Sequence, residues 1–139
     1  MFNRLLLAID GSKNSVRATK KAIELAKLQL HSRIEILYVV DGKKSREDIL
    51  HYGDAASYKR KQLLAPFEDM MKTKRITYHT TILHGKDHVA ESIIDFANSG
   101  EFDAVVIGSR GLNALQTLVL GSVSHKVMKH VKAPVLLVK

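Results

Sequence analysis

The chain has 139 residues, 45 % of them apolar and 26 % charged, proportions that can build one hydrophobic core and that exclude a disordered tail or a collagen-like repeat. It contains no cysteine, which removes disulfide scaffolds, cysteine nucleophiles and thiolate metal or iron–sulfur sites. With 22 Lys and Arg against 14 Asp and Glu the formal charge is +8, an excess that suits an anionic partner: a nucleotide, a nucleic acid or a membrane surface.

The first apolar run, Leu5 to Ile9, ends at Asp10. It is too short for a signal-peptide core or a membrane span, so the protein is expected to be soluble and cytoplasmic, with no membrane partner. Continuous rather than alternating hydrophobicity in this run predicts a strand buried on both faces. Ala18, Ala22, Leu25 and Ala26 then recur at helical spacing, predicting an amphipathic helix from about Asn14 to Leu30 with a small-residued stripe for close approach to a sheet. A second continuous run, Ile34 to Val40, predicts another buried strand, and the segment Asp41–Tyr52 is polar and charged. A helix is expected from about Asp54 to Lys72, with Pro66 kinking or restarting it. From Ile76 to Ile82 apolar side chains fall on alternate positions, the pattern of a strand with one wet face near a sheet edge. Val89, Ile93, Phe96 and Ala97 mark a helix with Asp87 as N-cap, stopping at Asn98-Ser99-Gly100, where Gly100 would supply a left-handed residue. Ala104–Ile107 predicts a buried strand, Val123, Val127 and Val131 a last helix opened by Gly121-Ser122, and Pro134–Val138 a last strand.

No internal repeat, low-complexity tract or Pro/Gly-rich linker divides the chain, so residues 1–139 are expected to form one domain. Strict alternation of buried strands and helices implies an α/β fold, a parallel sheet with helices on both faces and right-handed crossovers. Ligands of such sheets bind beyond the carboxyl ends of the strands, where the strand order reverses. The loops that matter are then Asp10–Ser12, Val40–Gly42, His84–Lys86 and Gly108–Ser122.

The last of these carries the chemistry. Strand four runs into Gly108-Ser109-Arg110-Gly111, and Gly121-Ser122-Val123 opens the last helix. Glycine lets a ligand approach the backbone without a Cβ in the way. A helix start offers unpaired N–H groups and the positive end of the dipole, so the Gly121, Ser122 and Val123 N–H groups with the Ser122 hydroxyl could wrap a phosphate. The ordinary alternative makes Gly108 and Gly111 turn residues and Ser122 an N-cap. No lysine stands beside Ser122, so this is no Walker A loop, and no G-x-G-x-x-G fingerprint occurs.

The spacing G-x2-G-x9-G-S resembles the nucleotide-binding signature of the universal stress protein family. Ala8-Ile9-Asp10-Gly11-Ser12 is similar to the family's first-strand motif, and Gly121-Ser122-Val123 followed by Ala133-Pro134-Val135-Leu136-Leu137-Val138 to its carboxyl-terminal block, so the resemblance spans the chain. It implies an open, Rossmann-like, five-stranded parallel sheet in the order 3-2-1-4-5 and an ATP site. Asp10 would lie near the ribose or a bound Mg²⁺, Ile9 and Val39 would line the adenine pocket, and Gly108, Gly111, Gly121, Ser122 and Val123 would contact ribose and phosphates. The sequence departs from the family at Ala8, where nucleotide-binding members often carry proline, and at Arg110, a cation inside the glycine loop that is placed either on a phosphate or in solvent.

Fast phosphoryl transfer needs a base or water-positioning group and charge clamps at the γ-phosphate, and the sequence offers no such base. The expected function is therefore an ATP-binding, stress-response regulator or interaction module with an unknown protein partner. A slow Mg-dependent ATPase using Asp10 and a basic protein binding nucleic acid are the alternatives. His79, His84 and His88 cluster near Asp87 without a common helix face, which fits surface histidines better than a metal site. The basic runs at 43–46, 59–61 and 72–75 are dispersed and lack interleaved aromatics, which disfavours nucleic acid. In the implied strand order the apolar fifth strand lies at an edge, and unpaired edges invite pairing, so a homodimer through two antiparallel fifth strands is expected.

Overall fold

The computed structural model describes residues 2–40, 42, 53–85, 88–109 and 121–139. Five strands, β1 (Arg4–Ile9), β2 (Arg33–Val40), β3 (Thr77–His84), β4 (Ala104–Gly108) and β5 (Val135–Val138), alternate with helices α1 (Lys13–Ala26), α2 (Gly53–Thr73), α3 (Val89–Ser99) and α4 (Ser122–His130). The strands form one parallel sheet in the order β3-β2-β1-β4-β5. This is the expected doubly wound arrangement, with the order reversing between β1 and β4.

Continuous hydrophobicity in the central strands has a direct cause: successive side chains enter two different cores. Leu5, Leu7 and Ile9 pack with Ala18, Ala22, Ile23, Phe67 and Met71 on the α1/α2 face. Leu6 and Ala8 pack with Ile93, Val105, Ile107 and Val127 on the α3/α4 face. Each fully buried Leu or Val contributes about 1.5–3 kcal/mol relative to exposure. At the β3 edge the alternation relaxes. Tyr78 joins the first core and Leu83 the second, whereas Ile82 is exposed, so the expected wet face is only partly wet.

Several boundaries differ from expectation for local reasons. α1 ends at Ala26 rather than Leu30, because the chain turns back toward β2: Leu28 and Leu30 are exposed, His31 has φ 67°, and the Arg33 N–H donates to the Asn3 carbonyl at 2.8 Å. Pro66 does not restart α2, which runs as one helix through it and buries Leu64, Phe67 and Met71 on one stripe. Tertiary packing there outweighs the lost hydrogen bond. His88, in extended backbone, stands at the N-cap of α3, and the expected N-cap Asp87 lies outside the described residues. Gly100 is not left-handed; its φ is −91°, and its lack of a Cβ makes room for the Phe102 ring. Among the described residues no helix is long and apolar enough to cross a membrane.

One contact positions everything that follows. A Cβ built on Gly108, at the end of β4, would stand 2.7 Å from the Asn14 carbonyl oxygen and 2.9 Å from its carbonyl carbon. Backbone cannot yield as a side-chain tip can, so this glycine exists to let the first turn of α1 reach the sheet. Gly108→Ala should lower unfolding free energy by about 1–3 kcal/mol in a denaturant titration, the cost of overpacking a rigid contact. An unchanged midpoint would show that α1 shifts freely.

Candidate functional site

The turn from β1 into α1 is held by a small polar network. Gly11 takes φ +85°, and a Cβ there would also approach Leu63 Cδ1 to 2.9 Å, so two constraints select glycine. Asp10 Oδ1 accepts from the Ser12 N–H at 2.9 Å and from the Ser15 hydroxyl at 2.7 Å. The Ser15 hydroxyl oxygen in turn accepts from the Asp10 N–H at 2.8 Å, and Ser12 Oγ caps α1 by accepting from the Ser15 N–H at 3.3 Å. Partial burial raises the Asp10 pKa, but the hydrogen bonds from Ser12 and Ser15 outweigh it and hold the carboxyl below its ordinary 3.8. Such a carboxylate is charged at neutral pH and a poor proton acceptor.

Across the reversal point, β4 delivers Gly108 and Ser109. The Ser109 N–H donates to the Val138 carbonyl at 2.8 Å, and Ser124 Oγ, in the first turn of α4, donates to the Gly108 carbonyl at 2.9 Å. The end of β4 is thereby tied to α1, β5 and α4 together. Gly121 is the N-cap of α4, with φ −64° and ψ 152°, so Ser122 is the first helical residue rather than the cap.

These elements enclose a cavity of about 330 Å³. Ala8, Ile93, Ile107 and Val89 form its apolar wall; Asp10, Ser12, Asn14, Ser15, Ser109, Ser122 and Ser124 supply the polar lining. A largely apolar cleft with a few convergent polar groups is the usual form of a small-molecule site.

Of the residues expected at the site, Ile9, Asp10, Gly108, Gly121, Ser122 and Val123 all line this cavity. Ile9 does so from the rim, since its side chain belongs to the first core. Val39 is not in the lining; it sits one strand further out and packs against the second core. Arg110 and Gly111 lie outside the described residues. Sequence reasoning missed Asn14, Ser15, Ser109 and Ser124. Asn14 carried a signal: it stands four residues before Ala18 at the head of the buried Ala18/Ala22/Ala26 stripe, and polar residues on a buried stripe need a partner. The histidines fall elsewhere. His79 Nδ1 lies 2.9 Å from Glu35 Oε1, while His84 and His88 line a separate cleft beside α3.

The family model for the universal stress protein family matches residues 1–139. The chain belongs to that family. Universal stress protein YxiE of Bacillus subtilis (strain 168) is 33 % identical over 151 residues, with all of both chains covered. Among solved structures, the hypothetical protein MJ0577 superposes with a TM-score of 0.83 at 24 % identity, covering 100 % of this chain and 96 % of that one. The universal stress protein from Archaeoglobus fulgidus in complex with dAMP gives 0.74 at 20 % identity, covering 100 % and 98 %. A universal stress protein in complex with cAMP gives 0.73 at 22 %, covering 99 % and 96 %. These likenesses fix the fold of this universal stress protein.

The Asp10 network has a pH signature. A carboxyl whose folded pKa lies below its unfolded value contributes stability that is present above the unfolded value, 3.8, and is lost as pH falls through the lower folded value. Asp10→Asn keeps the acceptor oxygen and removes the titration, so its stability should fall less steeply than wild type in acid. Superimposable acid limbs in urea titrations would mean that the Ser12 and Ser15 bonds do not favour the charged form.

Proposed function

We propose that residues 1–139 act as a single nucleotide-binding domain that holds an adenine nucleotide, with ATP as the physiological ligand, in the cavity between β1 and β4. The observation that carries this is the convergence of a β4 end stripped of side chain at Gly108 with a helix start at Gly121-Ser122-Val123 on one apolar-walled cavity of about 330 Å³. Helix-start N–H groups and hydroxyls suit phosphate, and Ala8, Ile93 and Ile107 suit a flat base. The complexes of dAMP and cAMP with proteins of this fold support the ligand class. In this proposal Ile9 and Val39 lie on the adenine side, Asp10 faces the ribose, and Gly108, Arg110, Gly111, Gly121, Ser122 and Val123 surround ribose and phosphates.

The site is better suited to binding than to hydrolysis. Asp10, the cavity's carboxylate among the described residues, is held charged and already accepts two hydrogen bonds through Oδ1, which leaves it ill-suited to deprotonate water. No group of three or more His, Asp or Glu among the described residues could hold a metal ion. In this proposal magnesium would enter as a companion of the phosphates, with Asp10 as the protein's contribution. In this reading the protein is a ligand-dependent regulator or interaction module in the cytoplasm with an unknown protein partner. We further propose a homodimer through β5, an edge strand on which Leu136 is 42 % exposed.

Gly121→Val places a branched side chain on the phosphate path and should weaken ATP binding by at least about tenfold in calorimetry of nucleotide-stripped protein. Undiminished affinity in a folded variant would put the ligand elsewhere. Leu136→Glu should convert the dimer to monomer in sedimentation velocity; a wild-type protein that already sediments as monomer would remove the β5 interface.

A further inference from the structure

Asn14 is one of the polar residues lining this cavity that the family motif does not use. It lines the cavity from the first turn of α1 and is 5 % exposed, so its side chain is nearly withdrawn from solvent. Its two ends are not equivalent. The Arg17 guanidinium donates to Asn14 Oδ1, and since arginine carries donors only, the amide oxygen must face Arg17 and the Nδ2 group must face the other way. Arg17 is itself fixed by a second bond, from Nε to the main-chain oxygen of Lys139 beyond β5, at 3.1 Å. Among the described residues no acceptor pairs with Asn14 Nδ2, and no fully buried side-chain polar atom lacks a partner. With Oδ1 engaged by Arg17, Nδ2 is the end of the amide left for the cavity that Asn14 lines.

A neutral donor held in one sense at nine-tenths burial is costly unless something accepts from it. Water can do so in the free protein. In the complex the acceptor is supplied by the ligand. We infer that Asn14 is a specificity-determining residue of the site, its Nδ2 group donating to an acceptor oxygen of the bound molecule, with Arg17 as the positioning residue that orients the amide. This rests on the nucleotide site proposed above. The acceptor oxygen comes either from a phosphate or from the ribose.

The Arg17 link also explains why asparagine is the residue suited to this place. Aspartate would turn an acceptor toward the ligand, and leucine would offer nothing.

The direct test is a titration of the isotopically labelled wild-type protein with AMP, following side-chain amide resonances by NMR, with the Asn14 pair identified by its loss in Asn14→Asp. The Asn14 amide signals should shift and become protected from exchange as AMP saturates. Calorimetry adds the affinity: Asn14→Asp should weaken AMP by about tenfold or more, the usual effect of losing a hydrogen bond to a charged group. Arg17→Leu should weaken it severalfold, with Arg17→Lys recovering most of the loss. Adenosine identifies the source of the oxygen. If its affinity is unchanged in Asn14→Asp the partner is the phosphate, and if it falls in parallel with AMP the partner is the ribose. An Asn14 amide that does not move in AMP-saturated wild-type protein overturns the inference while leaving the nucleotide site in place. Wild-type protein that binds neither AMP nor adenosine overturns both.

Discussion

The approach of α1 to the end of β4 is the constraint from which the site follows. At Gly108 the Asn14 backbone occupies the space a side chain would need, and no other residue permits that separation. The contact brings the β1–α1 turn alongside the β4 terminus, and Ser124 then ties α4 to the same carbonyl. Three chain segments far apart in sequence, around residues 10–15, 108–109 and 121–124, are locked about one point. A cavity at the strand-order reversal is the geometric remainder. The glycine that a motif would assign to the ligand is thus in the first place a packing residue, and it serves a ligand by fixing the walls.

Charge plays a smaller part at the site than the net balance suggests. The formal charge of +8 belongs to the sequence as a whole, while the polar part of the described cavity lining holds serines, Asn14 and one carboxylate. Asp10 is a working part of the backbone turn. Its Oδ1 closes the loop through Ser12 and Ser15, and those bonds keep it ionised despite partial burial. In the proposed complex the serines, Asn14 and helix-start amides of the described lining would orient an anion. The basic surface can still raise the local concentration of a polyanion.

Much of the fold was legible because its signals are local and redundant. Leu5–Ile9 and Ala104–Ile107 read as doubly buried strands, and their side chains do divide between two cores. The regular Ala18/Ala22/Ala26 stripe marked a helix lying close to the sheet, and Gly108 and Gly121 of the glycine pattern do line one cavity. What failed was set by neighbours. α1 stops early because the chain must return to pair with Asn3, Pro66 is carried inside a helix by the packing of Leu64, Phe67 and Met71, and Gly100 answers to the Phe102 ring. At the site, six of the expected residues converge, whereas Val39 is set back one strand and the serines and Asn14 went unread. Ser and Asn near a helix start look the same in a sequence whether they cap the helix or line a cavity.

By itself the sequence determined the class of the fold and the number and order of the strands in the chain, because burial periodicity is a property of short segments. The family resemblance of its glycine loop narrowed the ligand class. Only the tertiary structure decided which polar atoms face the cavity. Those orientations depend on tertiary partners: Arg17 turns the Asn14 amide and is itself held by the sequence-distant Lys139, and Ser124 reaches back to Gly108. Hydrogen bonds are directional, so the side of a residue that meets the ligand is set by whatever has already claimed its other side.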